Sequence, residues 1–173
     1  MVAKKISQRD RGFNGGIKSG TTAFDEQSRR LDKLLKESRD SVSLPGFICV
    51  KQFTPQMKVD LLGDDCFGFA PDGGAWFYKG RLVAVFEGKK QNKAGNAQER
   101  WYDNATTAKY INPDVKYITF CSGQGALEGE CLDKMRRKAQ IVLGDNYIFY
   151  MSPNGFTREE ATKIISDTLR SCI

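Results

Sequence analysis

From Phe24 to Ser38 the order FDEQSRRLDKLLKES sets Phe24, Leu31, Leu34 and Leu35 on one stripe, which predicts an amphipathic helix. Leu44-Pro45-Gly46 then breaks the chain, and FICVKQF at 47–53 reads as a strand. Lys58 to Leu62 reads as a short helix stopped by Gly63. Two β-rich apolar runs follow, GAWFY at 74–78 and RLVAVFE at 81–87. Lys79-Gly80 joins them, which is a hairpin signal. Residues 94–110 read as a helix, VKYITF at 115–120 as a buried strand, and the stretch around 130–139 as another helix. NYIFYM at 146–151 reads as a strand. The last helix opens at Phe156-Thr157-Arg158-Glu159-Glu160, where Thr157 and Glu160 have capping-box spacing. This order predicts an α/β fold with a mixed β-sheet core flanked by helices.

Composition narrows the chemistry. The 173 residues suit one domain, and they contain no histidine. That absence excludes Ser-His-Asp and Cys-His catalysis, histidine general bases and histidine-containing zinc sites. The five cysteines are odd in number and form no CxxC or CxxxC pair, so neither a disulfide framework nor a thiolate cluster is expected. Lys plus Arg number 27 against 21 Asp plus Glu, a net charge of +6. That balance favours a polyanion partner or simply solubility. Residues 1–22 carry Lys4, Lys5, Arg9, Arg11 and Lys18 against the single acid Asp10. They are expected to form a flexible basic arm, with residues 23–173 as one domain. No opening apolar run resembles a signal peptide and no stretch approaches a membrane span, so a cytoplasmic location is expected.

The candidate chemistry lies in residues 70–100. Side chains alternate along a strand, so Glu87 and Lys89 share a face. A two-residue loop at Lys79-Gly80 pairs Tyr78 with Arg81, and the same register continued sets Asp72 opposite Glu87. A longer loop would shift that pairing and leave Glu87 and Lys89 together. Like charges placed opposite each other destabilise a strand pair unless a cation joins them, and Lys89 is that cation. Asp72, Glu87 and Lys89 are thus expected to converge at one end of an otherwise apolar hairpin. Two carboxylates suit Mg²⁺, which takes one or two of them with phosphate oxygens and water. Lys89 would orient or help deprotonate an attacking water and offset charge on phosphorus. The set describes phosphodiester hydrolysis without histidine; an exposed, charged hairpin end is the plainer alternative.

Downstream, Lys90, Gln91 and Lys93 crowd a loop. Asn96, Glu99 and Arg100 then fall at i, i+3 and i+4 on one helix face, continued by Asp103 and Thr107. Ala97, Trp101, Ala105 and Ala108 form the opposite face. A solvated face accounts for this pattern. So does base readout, since Asn pairs with adenine edges, Arg donates to base acceptors and Glu accepts from an exocyclic amine. Lys90, Lys93 and Lys109 would then meet phosphates.

Pro71-Asp72, Glu87-Gly88-Lys89 and the string Ala94-Gly95-Asn96-Ala97-Gln98-Glu99-Arg100 together resemble the EcoRI/MunI group of type II restriction endonucleases, within the PD-(D/E)XK superfamily. Asp72-Gly73-Gly74 and Lys89-Lys90-Gln91 look like the EcoRI branch. The match covers about residues 70–104, and beyond them only the order of elements agrees. The resemblance implies a restriction-endonuclease-like fold and Asp72, Glu87 and Lys89 as the catalytic residues. It implies Mg²⁺ on Asp72, Glu87 and the Gly88 carbonyl. Asn96, Glu99 and Arg100 would read bases, with Gln91 near them and Lys93 also on DNA. A homodimer cutting double-stranded DNA at a palindrome with an AATT core is implied. So is a bacterial or phage restriction system whose cognate DNA methyltransferase is no physical partner. The segment from Lys89 to Gly95 is short for the family, so readout built on a longer one is missing. A nicking or repair nuclease of the same superfamily and a non-cleaving DNA-binding protein remain alternatives.

Overall fold

The computed structural model describes residues 30–62, 70–90, 114–123, 137, 141, 144–152 and 154–173. Helix α1 covers 30–41 of these, and its Leu31, Leu35 and Ser38 are buried one turn apart, in keeping with the predicted stripe. After a turn closed by the Phe47 N–H donating to the Leu44 carbonyl (3.2 Å), strand β1 runs only over Phe47–Val50. The expected strand to residue 53 is shorter because Phe53 leaves the sheet edge and buries itself, 2% exposed, in the core.

Helix α2, Pro55–Leu62, starts three residues earlier than its apolar pattern suggests. Thr54 caps it, its hydroxyl accepting from the Met57 N–H at 3.2 Å. Pro55 takes the first helical position, where its missing N–H costs nothing.

Strands β2 (Ala75–Tyr78), β3 (Arg81–Lys90), β4 (Lys116–Ser122) and β5 (Tyr147–Ser152) complete a five-stranded sheet in the order β1-β2-β3-β4-β5. The first three strands are antiparallel and β3, β4 and β5 run parallel, so the sheet is mixed as expected. Helix α3, Arg158–Arg170, follows with the predicted capping box in place. The Thr157 hydroxyl accepts from the Glu160 N–H (3.1 Å), and the Thr157 N–H donates to the Glu160 carboxylate (2.8 Å).

Apolar clusters cover both faces of the sheet. On one, Leu31 and Leu35 of α1 and Ala161, Ile165 and Leu169 of α3 pack on Trp76, Ala84, Phe86, Ile118 and Phe120. On the other, Phe53 and Met57 pack on Ala75, Leu82, Val85, Tyr117 and Tyr147. Burial on both faces explains why β3 and β4 read as nearly continuous apolar runs rather than alternating ones. The Ser38 hydroxyl donates to the Arg158 carbonyl (3.3 Å), tying α1 to the start of α3.

The hairpin loop is Lys79-Gly80, with φ of 49° and 79°, the two positive values of a type I′ turn. Tyr78 pairs with Arg81 and Phe77 with Leu82, as the two-residue loop predicts. Trp76 then pairs with Ala84, so Val83 is the extra residue of a β-bulge and the register moves by one.

The proposed arm at 1–22, its boundary at 22/23 and the helix at 94–110 lie outside the described residues. Of the helix expected around 130–139, only Arg137 is described, and it is helical, as is Ile141 just beyond. Among the described residues, no helix is long and apolar enough to cross a membrane. Cys49, Cys121 and Cys172 are free thiols.

Candidate active site

Strand β3 outruns its hairpin partner. Past the pair Ala75 and Val85, the turn Pro71–Gly74 lines the exposed edge of β3. The Gly73 N–H donates to the Phe86 carbonyl and the Phe86 N–H to the Gly74 carbonyl, both at 3.0 Å. The turn closes on itself through the Gly74 N–H and the Pro71 carbonyl (2.9 Å), and the Trp76 indole donates to the Gly73 carbonyl (3.0 Å). Successive residues of a strand direct their backbone groups to opposite edges. Gly88 therefore shares the edge of Phe86, with its N–H and C=O on the side of the Asp72 turn.

The bulge corrects the expected pairing. Asp72 stands abreast of Gly88, not opposite Glu87. One Asp72 carboxylate oxygen lies 3.0 Å from where a Cβ on Gly88 would stand, with the tips of Leu35 and Leu31 at 2.8 and 3.3 Å from that point. Asp72 thus enters over the α1 side of the strand, and Glu87 and Lys89 extend from the other side. The head-on carboxylate pair expected from the sequence is avoided. Instead, the Lys89 ammonium sits 3.1 Å from Glu87 Oε1. Both side chains are largely shielded, 25% exposed for Lys89 and 18% for Glu87.

The three residues still form one electrostatic unit. Burial pushes the Asp72 carboxyl up to about 7, aided by the negative charges of Glu87 and Asp32 and by a hydrogen bond with the Asp32 carboxyl, while Lys36 pulls it down. Burial also raises Glu87, against the opposing pull of Lys89 and the Asp72 N–H. A carboxyl whose folded-state value is raised binds its proton more tightly folded than unfolded. The stability Asp72 contributes is therefore complete below the unfolded carboxylate range and lost as pH rises through about 7, and Glu87, raised as well, acts with the same sign. Asp40 and Asp167, held low by Arg39 and Lys163 respectively, act with opposite sign, and only at more acid pH. Thermal melts of metal-free protein should give a Tm that falls from about pH 5 to about pH 8, and Asp72→Asn should flatten much of that fall. A Tm that rose over this interval would contradict the burial of these carboxyls.

The sequence alone does not point to Asp32, Lys36 and Arg39. They lie on α1, where charges between leucines look like an ordinary solvated face, and nothing local marks them as neighbours of Asp72. Arg39 is only 7% exposed, and its Nη1 donates to the Asp72 carbonyl at 3.3 Å. Gln91, Lys93, Asn96, Glu99 and Arg100, the candidate DNA contacts, lie outside the described residues.

Among the described residues, no group of three or more His, Cys, Asp or Glu side chains is arranged to hold a metal ion. The donor set instead matches the sparser demand of Mg²⁺, two carboxylates and a backbone carbonyl with the remaining positions left to water and phosphate. The mutual repulsion of Asp72 and Glu87 marks negative charge that a divalent cation would neutralise. Comparison with family models, curated proteins and solved structures finds no match to this chain.

Proposed function

We propose that this protein is a sequence-specific double-stranded DNA endonuclease, similar to the EcoRI/MunI group, that hydrolyses phosphodiester bonds with Mg²⁺. The observation that carries the reading is the gathering of Asp72, Glu87 and Lys89 around Gly88, where β3 has run past its hairpin partner, close enough for the two carboxylates to repel each other. The mixed five-stranded sheet with helices on its faces is compatible with a restriction-endonuclease fold.

Asp72, Glu87 and the Gly88 carbonyl would hold the Mg²⁺. When bound, the ion supplies a Lewis acid for the phosphate and acidifies water at neutral pH. Lys89, fixed 3.1 Å from Glu87, is placed to orient the attacking water and to offset charge gathering on phosphorus. In this reading Asn96, Glu99 and Arg100, with Gln91 and Lys93, read and grip DNA around an AATT core. Two copies related by two-fold symmetry supply one site per strand of a palindrome. The protein would act in the cytoplasm of a bacterial or phage-infected cell, protected by a cognate methyltransferase.

The test is incubation with unmethylated plasmid and phage DNA, in Mg²⁺ or EDTA, followed by sequencing of the ends. Discrete Mg²⁺-dependent fragments ending at one AATT-containing palindrome are expected. Single-strand nicks or a smear would replace this reading with a nicking or repair nuclease. Tight binding without cleavage would leave a DNA-binding protein.

A further inference from the structure

We propose that Arg39 of α1 is a positioning residue for the candidate metal site: by gripping the Pro71–Gly74 turn it sets where the Asp72 carboxylate stands beside Gly88. The inference deepens the nuclease reading and rests on its assignment of Asp72 as a metal-holding group.

Two contacts define the grip. The guanidinium donates through Nη1 to the Asp72 carbonyl (3.3 Å) and through Nε to Asp40 Oδ1 (2.9 Å). Further along the turn, a Cβ on Gly74 would run into Cys49 Sγ first and stand 2.9 Å from Arg39 Cδ, so the aliphatic stem shares with Cys49 the space where Gly74 has no side chain. One arginine therefore touches the turn on either side of Gly73. Burying a guanidinium is costly unless its donors are used, and here one of them is spent on the backbone of a candidate metal ligand. Asp32, a heptad earlier on the same helix face, sets negative charge near the Asp72 carboxyl. Helix α1 thus grips the backbone of Asp72 and shapes the field around its side chain.

Lysine would keep the charge and the stem but lose the planar fork that serves two acceptors at once. Arg39→Lys in the full chain is therefore the informative variant. Expected is Mn²⁺ binding by calorimetry weaker by about tenfold, and half-saturating Mg²⁺ for cleavage raised by a similar factor. The cleavage rate should recover toward wild type at high Mg²⁺, even where the lost donor lowers Tm. A buried arginine serving stability alone would lower Tm and leave Mn²⁺ affinity at wild type, and that result overturns the proposal.

Should Arg39→Lys fail to fold, Asp40→Asn replaces it. This change removes the charged anchor of Nε on a half-exposed side chain and should weaken Mn²⁺ binding in the same direction; wild-type affinity there overturns the proposal. Wild-type protein that binds Mn²⁺ but cuts no DNA removes the nuclease reading and leaves the positioning role to be judged by Mn²⁺ affinity. Wild type that cuts, with Arg39→Lys unchanged in Mn²⁺ binding, removes the positioning role alone. Wild type that binds no divalent cation removes both.

Discussion

Glu87→Gln is expected to lower Mg²⁺-dependent cleavage by a factor of about 10³ or more while DNA binding in Ca²⁺ survives. Glutamine keeps the shape, and the turn is held to β3 by backbone hydrogen bonds of Gly73 and Gly74 with Phe86, so it should stay in place. What goes is a negative charge that a divalent ion needs and the partner of the Lys89 ammonium 3.1 Å away. The same change relieves the repulsion that helps to raise Asp72. Metal-free Glu87→Gln protein should therefore melt no lower than wild type near neutral pH, even as its activity is lost. Lys89→Ala should abolish cleavage equally but melt lower, because Glu87 would then be shielded from water without its cation. This opposed pair of stability changes with a common loss of activity separates a built site from a charged hairpin end. Cleavage near the wild-type rate in either variant would remove these residues from the active site.

Gly88→Ala is expected to cost about 100-fold in cleavage and about 1–2 kcal/mol in stability. The added Cβ would stand 2.8 Å from Leu35 Cδ1, 3.0 Å from Asp72 Oδ2 and 3.3 Å from Leu31 Cδ2. The leucine tips can swing aside at modest cost. The carboxylate has less freedom, since its turn is tied to Arg39 and the edge of β3. Displacing it moves a candidate metal ligand, so the loss should show as a raised Mg²⁺ requirement together with a slower rate. A lowered Tm with wild-type cleavage would mean that the methyl is absorbed by the leucines and Asp72 does not move.

Much of the fold was legible from short stretches. The type I′ loop at Lys79-Gly80, the capping box of Thr157 and Glu160 and the buried stripe of α1 each depend on neighbours within a few residues. The early start of α2 was legible too, in Thr54-Pro55, but its cap and first-turn proline carry less signal than an apolar period. Strand β1 ended early because Phe53 serves the core rather than the sheet, a choice no local pattern records.

For the site, the sequence by itself determined that Glu87 and Lys89 share a face with Gly88 between them, because alternation is a property of any strand. It also determined that Asp72 would arrive close to them, because a two-residue loop folds the chain back along β3. Only the tertiary structure decided where Asp72 stands. The bulge at Val83 shifts it by one residue, to Gly88. Leu82 to Phe86 are apolar at every position because both sheet faces are covered, so a slip of one leaves their hydrophobic pattern unchanged and the sequence silent about it. The tertiary structure also decided that Asp32 and Arg39 belong with Asp72. Arg39 lies 33 residues away along the chain. No helical period or strand alternation spans that distance; packing of α1 against the end of β3 does.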